Sequence, residues 1–275
     1  MKRLVLVRHG QSMWNLENRF TGWTDVDLTD RGVEEATEAA KLLKDAGFVF
    51  DRVYTSLLKR SIRTTWIILD NMDLMWVPVD KTWVLNERHY GALQGMDKKE
   101  VMKNYGEEQV QKWRRGFEIR PPELSKADPR HPMYDVRYRD VGERLPNTES
   151  LHDTLDRVLE YWESNIRPQI EAGKQIMICA HGNSLRALMK YIENISDDDI
   201  AKVNMPTGIP LVYELDESMH AQRRYYLGDK RKVEAMIKEV EQQTAAMKAK
   251  NAKKAVKKKA VKKAVKKKAV KKVAS

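Results

Sequence analysis

Two histidines each follow a short apolar run and precede a glycine. His9 lies in Arg-His-Gly directly after residues 4–7 (LVLV), and His181 lies in His-Gly-Asn directly after residues 175–180 (QIMICA). A neutral imidazole can serve as a nucleophile, a proton carrier or a metal ligand. A single histidine of this kind is most simply a hydrogen-bonded residue of a strand-to-helix turn. Two at equivalent positions favour a shared functional site.

The residues beside these histidines favour phosphate chemistry over metal chemistry. Arg8 precedes His9, and a guanidinium next to a cation site is electrostatically unfavourable, which argues against a metal bound by His9, His89 and His181. Guanidinium groups bind phosphate oxygens in pairs and stabilise the charge of a phosphoryl group in transfer. A histidine nitrogen can accept that group covalently. We therefore expect phosphoryl transfer to histidine without a metal.

Such a transfer needs an acid to protonate the leaving oxygen, and Glu87 in Asn-Glu-Arg-His-Tyr-Gly is the best candidate. The alternative is that Glu87 forms a salt bridge with Arg88 or lies on the surface. Other chemistries lack their motifs, because the chain contains no Gly-x-Gly-x-x-Gly, no phosphate loop ending in Gly-Lys-Ser/Thr, no His-Glu-x-x-His and no Gly-x-Ser-x-Gly.

The elements that must position these residues alternate between strands and helices. The pattern predicts strands over 4–7, 50–54 and 175–180, and helices over 33–46, 57–69 and 148–165, the last beginning near Asn147 or Thr148. Continuous apolar strands that alternate with helices predict an α/β fold, with a mainly parallel sheet and helices on both faces. Ligands bind beyond the carboxyl ends of such strands, so we expect His9 and His181 to share one pocket.

One segment does not fit this alternation. Residues 121–146 contain five of the nine prolines together with several charges. We interpret this segment as a long excursion over one face, resembling a lid.

The charge of the chain divides it into two parts. It has 275 residues, with 51 basic against 40 acidic side chains, but 14 of the lysines and no acid lie in 244–275. All seven tryptophans lie between residues 14 and 162. We therefore predict a catalytic domain over 1–243 and a low-complexity Lys/Ala/Val tail over 244–275. The single cysteine, Cys179, and the lack of any apolar run of about 20 residues predict a cytoplasmic protein without a membrane partner.

The tail admits more than one interpretation. Its Ala-Val pairs begin at 255, 260, 264 and 269, a spacing that forms no apolar stripe on a helix, so we expect disorder. Closely spaced lysines favour non-specific contact with polyanions such as nucleic acid, through counterion release. A solubility tail, or a repeat expansion without selected function, explains the composition equally well.

Three segments carry a family resemblance: RHGQSMWN, NERHYGALQG and AHGNSLRAL. Together with weaker matches in order from about residue 2 to residue 228, they resemble the cofactor-dependent phosphoglycerate mutases of the histidine phosphatase superfamily. The resemblance implies a histidine phosphatase-like fold and a glycolytic and gluconeogenic enzyme. That enzyme would interconvert 3-phosphoglycerate and 2-phosphoglycerate through phosphohistidine, with 2,3-bisphosphoglycerate as primer and intermediate and no metal. It also implies a homodimer or homotetramer.

The resemblance assigns roles to residues. His9 would be the nucleophile and Glu87 the proton donor, while Arg8, Arg60 and His181 would surround the phosphoryl group. The substrate-binding positions would be Arg8, Ser12, Asn15, Thr21, Gly22, Arg60, Glu87, Tyr90, Lys98, Arg114, Arg115, Gly182 and Asn183. A substrate with several negative charges also needs cations beyond the reacting centre, although Lys98 could instead lie on a solvated helix face.

Two other functions stay open from the sequence. The same histidine site could work mainly as a bisphosphoglycerate mutase or as a phosphatase, because phosphohistidine can also react with water. From a different class, the chain could be a nucleic-acid-associated protein that uses the mutase-like body as a scaffold.

Overall fold

The computed structural model describes residues 2–240, which form a six-stranded sheet flanked by helices. The elements of the first half are β1 (Lys2–Arg8), α1 (Met13–Leu16), α2 (Asp30–Asp45), β2 (Arg52–Thr55), α3 (Lys59–Asn71), β3 (Val79–Lys81), α4 (Lys98–Tyr105) and α5 (Glu107–Arg115). The second half contains α6 (Leu151–Tyr161), a π-helix (Trp162–Ile166), α7 (Arg167–Glu171), β4 (Ile176–Ala180), α8 (Gly182–Ile192), α9 (Asp197–Ile200), β5 (Leu211–Leu215), β6 (Ala221–Tyr226) and α10 (residues 230–240).

The strand order is β3-β2-β4-β1-β5-β6, in which the first four strands run parallel and β5 and β6 are antiparallel. In the β1–β4 pair, Arg8 lies opposite Ala180, and the His9 amide donates to the Ala180 carbonyl at 3.0 Å. The two apolar runs thus end side by side. His9 and His181 leave the sheet at the same edge.

Alternate residues of β1 face two separate cores, which explains why its apolar run is continuous. Leu4 and Leu6 pack in a cluster with α6, the π-helix and α8, whereas Val5 and Val7 pack in a cluster with α2 and α3. A strand covered by helices on both faces has no side exposed to water. The predicted α/β class, the mainly parallel sheet and the helices on both faces are confirmed.

The predicted start of the helix over 148–165 is wrong. Ser150 caps α6, because its hydroxyl accepts from the Asp153 amide while the Asp153 carboxylate accepts from the Ser150 amide. The Thr148 hydroxyl instead donates to the Pro121 carbonyl at 2.9 Å. At its other end the α-helix stops at Tyr161 and widens into the π-helix. Pro168 follows in the first turn of α7, where its missing amide proton is tolerated.

The proline-rich excursion over 121–146 is irregular chain with short 3₁₀ turns at Pro132–Tyr134, Val136–Tyr138 and Gly142–Arg144. Its Arg137 pairs with Asp25 at 2.8 Å and donates to the Leu57 carbonyl at 3.1 Å. Asp25 in turn accepts from the Lys59 amide at 2.6 Å, at the start of α3. The excursion therefore braces the first turn of α3; its action as a lid stays a prediction.

Two further expectations concern the ends and the surroundings of the chain. The tail predicted over 244–275 lies outside the described residues. Within residues 2–240, no helix has the length and apolar character that a membrane span requires.

Candidate active site

The His9 imidazole is held in its neutral form. Its Nδ1 lies 2.7 Å from the Gly10 carbonyl, which can only accept, so Nδ1 carries the proton and Nε2 the lone pair. Burial, followed by the charges of Arg60 and Arg8, lowers the pKa of His9 well below its ordinary value. The imidazole is therefore neutral at neutral pH, with its one proton on Nδ1 and with Nε2 available for a covalent bond to phosphorus.

His181 lies directly beside His9, with the two ring centroids 4.9 Å apart. Its Nε2 lies 2.7 Å from the Ser56 hydroxyl, which fixes the ring. Burial, followed by the charge of Arg60 and by the neighbouring imidazole of His9, also lowers the pKa of His181 well below its ordinary value. Its buried Nδ1 has no hydrogen-bond partner within residues 2–240. A phosphoryl oxygen bound here would satisfy that nitrogen.

Arg60 completes the phosphoryl end of the site from α3. Its two terminal nitrogens donate to the carbonyls of Gly22 at 2.8 Å and Thr24 at 3.0 Å, and its Nε lies 3.3 Å from His9 Nε2. Burial lowers the pKa of Arg60 to about 10, so it stays cationic at neutral pH. Backbone carbonyls thus aim a fixed positive charge at the atom where phosphorus would bind.

Glu87 and Arg8 meet at the start of α8. Glu87 Oε1 accepts from the amides of Arg88 at 2.8 Å and Asn183 at 3.1 Å. A Cβ added to Gly182 would lie 3.5 Å from Arg8 Nε and 3.7 Å from Glu87 Oε2. Gly182 therefore lets the helix approach both charged groups closely. Arg8 Nε is buried with no hydrogen-bond partner among residues 2–240, so its N–H can donate to an oxygen of a bound ligand.

Beyond Arg8 and Glu87 lies a small cavity of about 110 Å³ that is rich in cations. Its lining residues are Arg8, Asn15, Arg19, Phe20, Thr21, Gly22, Glu87, Tyr90, Lys98, Arg114, Arg115, Gly182, Asn183, Arg186, Asn204, Met205 and Val240. The cavity thus brings together eleven of the fifteen predicted site residues, whereas His9, Arg60 and His181 are not among its lining residues. Ser12 does not line the cavity but begins α1 and bonds to Asn15, its hydroxyl 2.9 Å from Asn15 Oδ1.

Lys98 belongs to this cavity and not to a solvated helix face. It begins α4, capped by Asp97, and is half-buried. Burial, followed by the charges of Arg114 and Arg8, lowers the pKa of Lys98 to about 7. Burial and the charge of Arg114 likewise lower the pKa of Arg115 to about 10. Like charges are therefore held together here, an arrangement that a polyanion would relieve.

Two buried arginines of the site were missed in the sequence. Arg88 donates to the Tyr90 hydroxyl at 3.1 Å and to the Arg114 carbonyl at 2.8 Å, which joins the Glu87 loop to α5. Arg186 on α8 donates to Asn183 Oδ1 at 2.9 Å, and burial lowers its pKa to about 9. Both lie inside segments that carried the family resemblance. Arg186 could have been predicted as a site residue, because it follows Asn183 by three positions and so lies on the same face of the helix.

Position 22 requires a glycine because of its backbone conformation and its close neighbours. Its φ of +54° lies in the left-handed region, and an added Cβ would lie 2.0 Å from Gln94 Oε1. Gln94 Oε1 accepts from the Trp23 amide at 2.7 Å. A side chain at position 22 would therefore displace the loop whose carbonyls hold Arg60.

No group of three or more histidine, cysteine, aspartate or glutamate side chains within residues 2–240 is arranged to hold a metal ion. The ring of His89 is engaged elsewhere, since its Nδ1 accepts from the Gly91 amide at 3.1 Å and its Nε2 lies 3.3 Å from Gln94 Nε2.

Comparison with known proteins agrees with this geometry. The profile of the histidine phosphatase superfamily (branch 1) matches residues 4–226. The chain belongs to this superfamily. Its chemistry is therefore that of a phosphatase or phosphotransferase.

Solved structures of the superfamily share the fold. A mycobacterial glucosyl-3-phosphoglycerate phosphatase in complex with VO3 superposes with a TM-score of 0.61 at 22% identity, covering 82% of this chain and 98% of that one. A putative α-ribazole-5′-P phosphatase from Escherichia coli K-12 gives 0.61 at 20% identity, covering 83% and 98%. The α-ribazole phosphatase from Shigella flexneri gives 0.58 at 21% identity, covering 82% and 96%.

Proposed function

We propose that this protein is a 2,3-bisphosphoglycerate-dependent phosphoglycerate mutase, which interconverts 3-phosphoglycerate and 2-phosphoglycerate. The observation that carries the proposal is the charge of the cavity. Arg8, Lys98, Arg114, Arg115 and Arg186 surround it, whereas Glu87 is the one carboxylate among its lining residues. A phosphate ester with a single charged group needs cations only at the reacting phosphorus. A substrate with a carboxylate and a second phosphate needs them further out.

The residues would divide the reaction between them. His9 Nε2 carries the phosphoryl group, and the hydroxyl of the bound monophosphate attacks phosphorus while the N–P bond breaks. Glu87 accepts the hydroxyl proton in that step and returns a proton to the leaving oxygen when His9 Nε2 takes a phosphoryl group back. Arg60, Arg8 and the buried Nδ1 of His181 would bind the oxygens of the group in transfer. When bound, 2,3-bisphosphoglycerate would supply the phosphoryl group that primes His9.

The cations of α4, α5 and α8 would hold the end of the substrate that does not react. Lys98, Arg115 and Arg186 would bind its carboxylate or second phosphate by charge-assisted hydrogen bonds. Binding of the same groups in two orientations lets one site transfer either phosphate. Loss of a phosphoryl group to water would instead give phosphatase activity, so the balance between the two outcomes has to be measured.

Phosphorus NMR of 3-phosphoglycerate incubated with the enzyme, with and without 2,3-bisphosphoglycerate, tests the proposal. We expect 2-phosphoglycerate to appear, faster with the bisphosphate, and little inorganic phosphate. Release of inorganic phosphate without 2-phosphoglycerate would identify a phosphatase. No change in either sample would refute both activities on this substrate.

The proposed partners follow from the sequence alone. We expect a homodimer or homotetramer, which sedimentation would measure. We also expect the lysine tail to bind nucleic acid weakly and to lose that binding as salt increases. Filter binding with the full chain and with a chain that ends at Gln243 tests this, and equal negligible retention would leave the tail without a nucleic-acid role.

A further inference from the structure

The loop that carries Glu87 is held in place by hydrogen bonds from Arg157. Arg157 lies on α6 and is buried. Its Nη2 donates to the carbonyls of Asn86 at 3.1 Å and Glu87 at 3.2 Å, and its Nη1 donates to the carbonyl of Val84. One guanidinium thus binds three carbonyl groups of the segment 84–87.

Glu149 forms a buried ion pair with Arg157. Its Oε1 lies 2.6 Å from Arg157 Nε and its Oε2 lies 3.0 Å from Arg157 Nη2. Its Oε2 also accepts from the His89 amide at 2.7 Å. The two side chains, 8% and 4% exposed, therefore hold the backbone on both sides of Glu87.

Stability alone does not account for this pair. Burying two charges costs desolvation free energy, and a well-packed apolar pair often stabilises a fold equally well. The ion pair supplies what an apolar pair cannot, namely hydrogen bonds in fixed directions to the carbonyls and the amide that flank Glu87. Trp23 acts on the same point, because its Nε1 donates to the Glu87 carbonyl at 2.6 Å.

The carboxyl group of Glu87 is fixed on one side as well. Oε1 is occupied by the amides of Arg88 and Asn183, whereas Oε2 is the oxygen near Gly182 and Arg8. A proton on Oε2 would therefore face the position of the substrate. A backbone shift at residue 87 would move Oε2 away from that position.

We propose that Arg157 and Glu149 are positioning residues that hold the Glu87 carboxyl within reach of the leaving oxygen. The inference rests on the proposed role of Glu87 as proton donor. General acid catalysis contributes about 10²–10⁴-fold to a rate, and a displacement of about 1 Å can remove about 10²-fold. Both residues contact the backbone around Glu87, whereas neither lines the cavity, so we expect their main effect to pass through Glu87.

The leaving group separates this role from general damage to the pocket. When His9 Nε2 attacks phosphorus, the P–O bond breaks and an alkyl oxygen leaves only with a proton from Glu87. A nitrophenolate leaves as an anion and needs no proton. A misplaced Glu87 therefore slows transfer from an alkyl phosphate and spares transfer from p-nitrophenyl phosphate.

The experiment measures phosphorylation of His9 in a single turnover, as acid-labile phosphate, with 2,3-bisphosphoglycerate and with p-nitrophenyl phosphate. For Arg157→Lys and Glu149→Gln we expect a fall of about 10–100-fold with the bisphosphate and less than about threefold with the aryl ester. Arg144→Lys and Glu160→Gln are the matched controls, since the pair of Arg144 and Glu160, the latter on α6, is 63% and 73% exposed and should change neither rate.

Two further variants keep the inference testable if single charge changes prevent folding. The double variant Glu149→Gln/Arg157→Met leaves no unpaired buried charge, and Trp23→Phe removes the hydrogen bond to the Glu87 carbonyl while keeping an aromatic ring in the same packing. Both should show the same selective loss, smaller for Trp23→Phe. Equal losses with both substrates, or no loss with either, would overturn the inference.

The outcome is separable from that of the proposed function. If the wild-type protein forms phosphohistidine from other alkyl phosphates but not from phosphoglycerates, the proposed substrate is wrong. The ratio of alkyl to aryl rates in the variants then still measures the effect of Arg157 and Glu149.

Discussion

The two ends of the candidate site, the phosphoryl end around His9 and the distal end in the cationic cavity, are built on different physical principles. At the phosphoryl end, His9 and His181 are neutral, and Arg60 is held by two backbone carbonyls. At the distal end, Lys98 and Arg115 lie among other cations, and their proximity together with burial lowers both pKa values. The first end depends on exact placement of uncharged nitrogen and fixed charge, and the second on an excess of positive charge.

This difference predicts two kinds of defect. Changes at the phosphoryl end should lower kcat, because they remove interactions made in the transition state. Changes at the distal end should raise KM, because they remove charge that binds the substrate throughout the reaction. A variant at the phosphoryl end that changes only KM, or a variant at the distal end that changes only kcat, would contradict this comparison.

The largest effect is expected for His9→Ala. The variant has no nitrogen to bond to phosphorus, so turnover should fall by more than about 10⁴-fold and no acid-labile phosphate should form. Turnover and incorporation of labelled phosphate measure this. Full activity in the variant would disprove histidine-based transfer, whereas His220→Ala, on the surface at the β5–β6 turn, is the control and should be active.

Arg60→Met should lower kcat by about 10²–10³-fold with a smaller change in KM, because the charge aimed at the transferring group is lost. Arg60→Lys keeps the charge, but its single nitrogen cannot take the positions of the three Arg60 nitrogens that contact Thr24, Gly22 and His9, so its kcat should be intermediate. Steady-state kinetics of the two variants test the phosphoryl end. A rise in KM alone would assign Arg60 to substrate binding.

Arg115→Met should raise KM by about 10–100-fold and leave kcat within a few-fold, since one charge-assisted contact to the distal anion is lost. The KM of the variant should also depend less on salt than that of the wild type. Measurements at several salt concentrations check this. Arg120→Met, which removes an exposed pair with Asp153, provides the control.

The smallest effect is a dependence of KM on pH. Lys98, with a pKa of about 7, is cationic below that pH and neutral above it, so KM should rise above pH 7 by up to about tenfold in total as one charge-assisted contact is lost. Because the pKa of His9 lies well below its ordinary value, kcat should stay flat through this range. KM profiles of wild type and Lys98→Arg measure this. A rise of KM that Lys98→Arg retains would exclude Lys98 as its source.

Much of the fold could be predicted because its signals are local. Continuous apolar runs identified β1 and β4, and the rule for the carboxyl ends of parallel strands predicted the adjacency of His9 and His181. Helices α2 and α3 lie within a few residues of their predicted bounds. The cap of α6 was missed, since Asn147, Thr148 and Ser150 are all suitable capping residues and only the contact of Thr148 with Pro121 decides between them.

The rest depends on contacts between distant residues. Arg157 meets the carbonyl of Glu87, and Arg137 meets Asp25 across 112 positions of the chain. The glycine after His9 has a similar explanation, because a Cβ at Gly10 would lie 2.1 Å from the Gly32 carbonyl oxygen at the start of α2. The residues near Gly10 in the sequence do not indicate that the backbone at Gly32 packs against it.

The central place of β1 in the sheet has a consequence for biosynthesis. Leu4 pairs with Ile176 on one side and with Tyr213 on the other, so the partners of β1 are translated about 170 or more residues after it. At about 5–20 residues per second, that wait lasts roughly 10–30 s. During it the apolar edge of β1 is open to wrong partners on the ribosome. The strand that leads directly into His9 is thus the one with the greatest need of protection before its partners are made.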